Sequence, residues 1–175
     1  MLQRAFEAYQ SGNPRQAETL CREFLASKPE DQVAMLVLAM SLDAQHRTIE
    51  AIQLFERLTV LSPEQAENWA NLGTVLRAAG QVAKAEQAFR SALDRDGGDA
   101  NSLFNLGSLS FDKGDYGEAR RFLLRALETA PDDPSIRTLA IAACFECADF
   151  EQTDRLLVDW ERWATGNVEV LTDLG

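Results

Sequence analysis

The sequence predicts an all-α fold, an α-solenoid of tandem helix-turn-helix units. The first observation is an internal repeat. When the chain is aligned with itself so that Ala17 falls on Ala51, similar residues line up along its length. The second is the helical spacing of apolar residues inside each repeat, interrupted by a glycine. The third is a recurrent proline after the second apolar stretch, where a helix is expected to stop.

Several repeat positions keep one type of residue along the chain, which chance alignment does not explain. One position holds small residues: Ala17, Ala51, Ala85, Ala119 and then Thr153. A second holds glycine: Gly12, Gly80 and Gly114. A third holds proline: Pro29, Pro63 and Pro131, with Gly97 in the missing place.

Residues 66–99 show the two predicted helices of a repeat most clearly. The pattern W-x2-L-G-x2-L followed by A-x3-F, from Trp69 to Phe89, resembles the tetratricopeptide repeat, with Leu76 in place of its usual third aromatic. Gly73 and Ala85 stand where the two helices of a pair must approach closely. The resemblance implies a right-handed α-solenoid whose first helices line a concave surface. It also implies a family that mostly binds peptides or protein segments there.

With the repeats placed in this register, the chain is predicted to be one array of repeats over residues 1–175. Its repeats are 1–31, which is partial, then 32–65, 66–99, 100–133, the divergent 134–167, and 168–175 as the start of a sixth. No capping helix is recognisable, so we interpret the chain as a fragment of a longer protein, or alternatively as an array completed by another chain. We also expect self-association through the uncapped end, where the apolar residues are Val168, Val170, Leu171 and Leu174.

Charge and composition exclude several classes of partner. With 28 acidic and 17 basic residues the net charge is −11, which repels nucleic acid and anionic membrane surfaces. No apolar run is long enough for a membrane helix, and the amino terminus lacks the order of a secretory signal. Three cysteines are too few for a disulfide framework. We therefore expect a cytoplasmic protein that binds neither nucleic acid nor membrane.

Nothing in the sequence proposes catalysis, a cofactor or a metal. The single histidine, His46, shares a repeat position with turn glycines, and the phosphate-loop, nucleophile-elbow and zinc-protease motifs are missing. Cys144 and Cys147 have metal-ligand spacing, but no second pair exists, and Cys144 shares a core position with Leu42 and Leu76. We expect a buried structural thiol at Cys144 and no enzymatic activity.

The inner faces of the first helices give the predicted peptide-binding residues. They are Glu67, Asn71, Thr74, Arg77, Asn101, Phe104, Asn105, Ser108, Phe111, Thr138 and Phe145. The corresponding places in the first two repeats include Gln3, Phe6, Tyr9, Val33, Val37, Met40 and Asp43. Because Arg77 is the only basic residue among them, a clamp for a C-terminal carboxylate is disfavoured.

The triplet Asn-Leu-Gly recurs at Asn71 and Asn105, at one repeat position. It resembles the asparagine ladder of O-linked N-acetylglucosamine transferases, which implies amides that bind the backbone of an extended substrate. Val37 and Leu139 interrupt the ladder on both sides. The alternative is that both asparagines only bridge neighbouring helices.

The predicted function is a protein–protein interaction scaffold that binds an extended peptide segment of another protein in the concave groove. Arg77, Phe104 and Phe111 would then supply selectivity. The alternative is the substrate-recognition arm of a larger bacterial enzyme of the transferase type. A third interpretation is a self-assembly module.

Overall fold

A computed structural model describes residues 1–158, and the regular elements within that range are helices. Their bounds are α1 Leu2–Gln10, α2 Pro14–Ser27, α3 Gln32–Asp43, α4 Thr48–Leu61, α5 Ala66–Ala78, α6 Val82–Leu93, α7 Ala100–Asp112, α8 Tyr116–Thr129 and α9 Pro134–Glu146. A further helix, α10, begins at Phe150 and is described as far as residue 158. The predicted all-α class of helix-turn-helix pairs is confirmed. The predicted uncapped end at Val168, Val170, Leu171 and Leu174 lies outside the described residues.

The helices form two compact units, an N-terminal unit of Met1–Gly97 and a C-terminal unit that begins at Gly98. In the N-terminal unit each helix packs against the next from α1 to α6, and α1 also contacts α3. In the C-terminal unit α7 packs against α8, α8 against α9, and α7 also contacts α9. Within each unit, therefore, first helices of successive repeats come into contact.

The first helices start at a constant interval. They begin at Gln32, Ala66, Ala100 and Pro134, so each start is separated from the next by one repeat. Three aspartates just before these helices, Asp31, Asp99 and Asp133, accept hydrogen bonds from backbone N–H groups of the first turn. A carboxylate at this place satisfies free N–H groups and favours the positive end of the helix dipole.

Small residues hold the two helices of each pair close together, as the sequence predicts. Ala17, Ala51, Ala85 and Ala119 have no exposed surface. A Cβ atom added at Gly73 would lie 2.6 Å from the ring of Phe89, and one added at Gly107 would lie 2.6 Å from Cγ of Leu123. These distances are shorter than ordinary carbon–carbon contacts, so a side chain at either glycine would displace Phe89 or Leu123 from its packed position.

Loop carbonyls after the second helices are bound by two different side chains at one repeat position. The indole Nε1 of Trp69 donates a hydrogen bond to the carbonyl of Pro63 over 3.0 Å. Two repeats later, the guanidinium of the buried Arg137 donates to the carbonyl of Pro131. The same backbone group is thus satisfied by either donor, and the bond pairs one of the donors of the buried Arg137.

Burial accounts for the chemistry of two cysteines. Cys21 and Cys144 are fully buried, and this burial raises the pKa of each thiol to about 11. Both thiols therefore stay protonated near neutral pH. Residues 1–158 contain no cluster of His, Cys, Asp and Glu side chains arranged to hold a metal ion. In the same range, none of the helices has the length and apolar content that a bilayer span requires.

The turn inside each repeat requires one residue in the left-handed region. Gly12, Gly80 and Gly114 have φ of 73°, 73° and 80° there, while His46 has 61° and Ala148 has 55°. His46 is an exposed turn residue, as the sequence predicts. Residues with a Cβ atom are strained in this conformation, and alanine lacks the local hydrogen bonding that eases it.

We predict that Ala148→Gly stabilises the protein by about 0.5–1 kcal/mol, because relief of the left-handed strain exceeds the entropic cost of glycine. Urea denaturation curves would measure the change in the free energy of unfolding. The matched control is Gly80→Ala, which should destabilise by a similar amount, since an added Cβ there meets no atom within 4 Å and adds only backbone strain. A less stable Ala148→Gly variant would contradict the explanation.

A polar network in the N-terminal unit ties the turn between α3 and α4 to α2. The carboxylate of Glu18 accepts hydrogen bonds from Gln45 at 2.9 Å, Arg47 at 2.6 Å and Arg22 at 2.9 Å. Gln45 also donates to the backbone carbonyl of Ser41 over 3.0 Å. Burial alone would raise the pKa of Glu18, but the hydrogen bonds from Gln45, Arg47 and Arg22 outweigh it, so the pKa is lowered.

We predict that this network loses its stabilising effect in acid. Because the folded pKa of Glu18 lies below its ordinary value of 4.5, the stabilisation is complete above that pH and is lost as the pH falls through the folded pKa. Glu18→Gln should lower the free energy of unfolding by about 1–2 kcal/mol near neutral pH, with the deficit shrinking in more acidic buffer.

Urea denaturation at several pH values would test this, with Glu23→Gln as the control. Glu23 is an exposed carboxylate on the same helix, and its replacement makes the same change in charge. A deficit for Glu18→Gln that is equal at all pH values would show that lost packing, rather than lost charge, is responsible.

Candidate functional site

The N-terminal unit contains a pocket of about 200 Å³ that is lined mainly by its first helices. Its lining residues come from α1, α3, α4 and α5 and from the turn after α3, and they are Tyr9, Met40, Asp43, Ala44, Phe55, Asn71, Thr74 and Val75. The structure thus brings the predicted site residues Asn71 and Thr74 together. It also places beside them Tyr9, Met40 and Asp43, which occupy the equivalent repeat positions in the first two repeats. Ala44 and Phe55 also line the pocket and were not expected from the sequence.

Asn71 has an unused amide in this pocket. The residue is half-buried, and its side chain makes no hydrogen bond with any other residue in the range 1–158. Thr74, one turn later on the same helix, donates from Oγ1 to the carbonyl of Ala70 over 3.0 Å and keeps its own lone pairs. Asn71 therefore offers a donor and an acceptor to a ligand.

Two predicted site residues of α5 lie outside this pocket. Glu67 is exposed one turn before Asn71, and Arg77 is half-buried about one turn after Thr74. Neither residue lines the pocket. Arg77 occupies the repeat position that Asp43 occupies in the preceding repeat, so the charge at this position is reversed between the two repeats.

The C-terminal unit has a pocket of about 510 Å³ between α7 and α9. It is lined by Phe104, Phe111, Pro134, Ser135, Thr138, Leu139 and Ala142. Of the predicted site residues, the structure brings Phe104, Phe111 and Thr138 together here. Both phenylalanines also pack against the buried core of this unit, so their rings are partly fixed. The pocket is suited to apolar side chains.

Asn105 differs from Asn71 although the two share a repeat position. Only 6% of Asn105 is exposed, and its Nδ2 donates to the backbone carbonyl of Asn101 over 2.8 Å and to Oδ1 of Asn101 over 2.7 Å. Neither asparagine lines the pocket of this unit, and Ser108, one turn later, is half-buried and also outside it. In the C-terminal unit, two predicted site residues thus bind each other.

Aromatic pairs recur at one pair of repeat positions in the C-terminal unit. The rings of Phe111 and Tyr116 meet edge to face with centroids 5.1 Å apart, and those of Phe145 and Phe150 with centroids 5.8 Å apart. Phe145, a predicted site residue outside the pocket, is 59% exposed. The partners Tyr116 and Phe150 were missed, although their separation by one repeat was a usable signal.

Family comparison agrees with the repeat and the fold. A family model for the middle tetratricopeptide-like domain of cilia and flagella-associated protein 70 matches residues 35–161, and a tetratricopeptide repeat model matches residues 2–66. The chain belongs to the tetratricopeptide repeat family. Proteins of this family are protein-interaction scaffolds and are mostly non-enzymatic. The absence of enzymatic activity in this chain itself stays a prediction.

Among individual proteins, the chain is 24% identical over 134 residues to the CTR9 homolog of Arabidopsis thaliana, a match that covers 76% of this chain and 12% of the plant protein. The chain thus corresponds to a small part of that relative. The structure of MamA from Desulfovibrio magneticus RS-1 is similar with a TM-score of 0.78 at 14% identity, covering 93% of this chain and 92% of that one. A chain in the structure of Naa15/Naa10 bound to HypK-THB has a TM-score of 0.65 at 19% identity, covering 92% of this chain and 24% of that one. At these identities the two structures show a shared fold alone.

Proposed function

We propose that the chain binds an extended segment of another protein along the inner faces of its first helices. The observation that carries this proposal is the half-buried amide of Asn71, which has no partner among residues 1–158 and lines a pocket. An amide matches the alternating C=O and N–H groups of an extended peptide. Such a contact fixes the ligand backbone without reading its sequence, which is the mode that the likeness to an asparagine ladder implies.

Asn105 contributes less than Asn71 to the proposed binding of the ligand backbone. Its amide nitrogen is already bonded to Asn101, so a ligand must replace that contact before it can bind there. Exchanging one hydrogen bond for another contributes little net free energy. Backbone recognition therefore rests mainly on Asn71.

Within the C-terminal unit, the apolar pocket supplies selectivity for apolar side chains of a bound segment. Phe104 and Phe111 present ring surface to it, and Thr138 adds a hydroxyl that is partly engaged with the carbonyl of Pro134 over 2.7 Å. Buried aromatic surface is the usual anchor of a protein interface. Support of a general kind comes from the family and from the similar fold in the Naa15/Naa10 structure, which has a bound partner, HypK-THB.

We predict that Asn71→Ala weakens peptide binding, whereas Asn105→Ala lowers thermal stability. Peptides selected from a displayed random library on the immobilised chain would be measured by fluorescence anisotropy. Asn71→Ala should weaken their binding by about 1–3 kcal/mol and leave the melting temperature unchanged, because only ligand contacts are lost. Asn105→Ala should lower the melting temperature, because a buried amide bonded to Asn101 is removed.

Gln87→Ala is the control, since it removes an exposed amide from α6 outside the pocket. Normal binding by Asn71→Ala together with a lower melting temperature would make Asn71 a bridge between helices. That result would refute backbone recognition at this residue.

A further inference from the structure

We infer that the pocket of the N-terminal unit binds a basic side chain, arginine or lysine, and that Asp43 is its ion-pair partner. The inference rests on the proposed function, because the side chain would belong to the bound segment. It adds the chemical class of one residue of that segment, which backbone recognition by Asn71 leaves open.

Asp43 is an unpaired carboxylate at the pocket wall. It is half-buried, and no residue in the described range 1–158 forms an ion pair or side-chain hydrogen bond with it. By contrast, Glu18 in the same unit is bonded to three donors. Among the described residues that line the pocket, Asp43 carries the only charge. The carboxylate is thus available to a cation from outside.

The position of Asp43 strengthens the negative potential of the pocket. Asp43 is the last residue of α3, where the helix dipole places partial negative charge. Its carboxylate adds to that charge, an arrangement that costs stability in the free protein and favours a bound cation. Over longer distances, the net charge of −11 also attracts a basic ligand.

The shape and lining of the pocket fit one long amphipathic side chain. Its volume of about 200 Å³ is below the roughly 300–1,000 Å³ of small-molecule sites, so it suits a single residue. Met40 provides apolar surface for a methylene stem, and the largely buried Phe55 and Val75 also line the pocket. The ring of Tyr9 can face the charged group, which aromatic rings attract.

Other side chains fit less well. An apolar or amide side chain would displace water from Asp43 without replacing its charge-assisted hydrogen bonds, and an acidic one would be repelled. Arg77 does not fill this role from within the protein, because it does not line the pocket and Asp43 has no ion-pair partner in the described range. A basic side chain is the class that satisfies the carboxylate.

The test uses a short acetylated and amidated host peptide of alternating serine and valine, with arginine, glutamine or glutamate at its centre. Titration of the isotopically labelled chain, followed by amide NMR shifts of residues 40–44 and 71–75, would give the affinity of each peptide. We expect the arginine peptide to bind about tenfold more tightly than the glutamine peptide, the scale of one charge-assisted hydrogen bond in a partly buried site. Asp43→Asn should remove this preference, and added salt should reduce it.

Glu64→Gln is the matched control, because Glu64 is exposed in the same unit, away from the pocket, and its replacement changes the net charge equally. This variant should keep the preference for arginine. Equal binding of the arginine and glutamine peptides, or a preference that survives Asp43→Asn, would overturn the inference and leave peptide binding intact. If none of the peptides shifted the pocket signals up to their solubility limits, both the inference and the proposed function of this surface would fail.

Discussion

The close approach of the two helices in each repeat is the constraint on which the rest of the structure depends. At Gly73 and Gly107 there is no room for even a Cβ atom, and the alanines at the facing repeat position, such as Ala85 and Ala119, are completely buried. Ridges of small residues let helix axes come near each other, and a larger residue would separate them. This spacing determines where the first helices lie in each repeat, and therefore where their predicted binding faces lie.

Side chains on those inner faces are free to vary, because they do not determine the helix spacing. One repeat position holds Tyr9, Asp43, Arg77, Phe111 and Phe145 in successive repeats. Within the N-terminal unit, Tyr9 and Asp43 line a small pocket that contains one charged residue, and within the C-terminal unit Phe111 lines a larger apolar one. A constant backbone position thus carries hydroxyl, acidic, basic and aromatic side chains, so the two units present different chemistry at this position.

The repeat period predicts the fold well because packing imposes it. Helix starts, turn residues and close-packed positions all recur at the same interval, and each has a steric reason to do so. The site is less predictable, since polar partners are local. Asn71 and Asn105 share a repeat position, but Asn101 takes the donor of Asn105, whereas Glu67 stands in the equivalent place before Asn71 and makes no such bond. A repeat position indicates where a side chain points and leaves its partner undetermined.

Under the proposed function, the two pockets select a ligand mainly by the side chains that they exclude. In the free protein, water satisfies the carboxylate of Asp43, and any side chain that enters the pocket removes that water. The penalty for an unpaired carboxylate exceeds the net gain from a paired one, so the wrong residue is excluded more strongly than the right one is attracted. The apolar pocket at Phe104 and Phe111 works in the opposite sense, because a charged side chain placed there would lose its hydration without gaining a partner. In the proposed mode of binding, selectivity comes from these pockets, and Asn71 orients the ligand backbone without a continuous ladder.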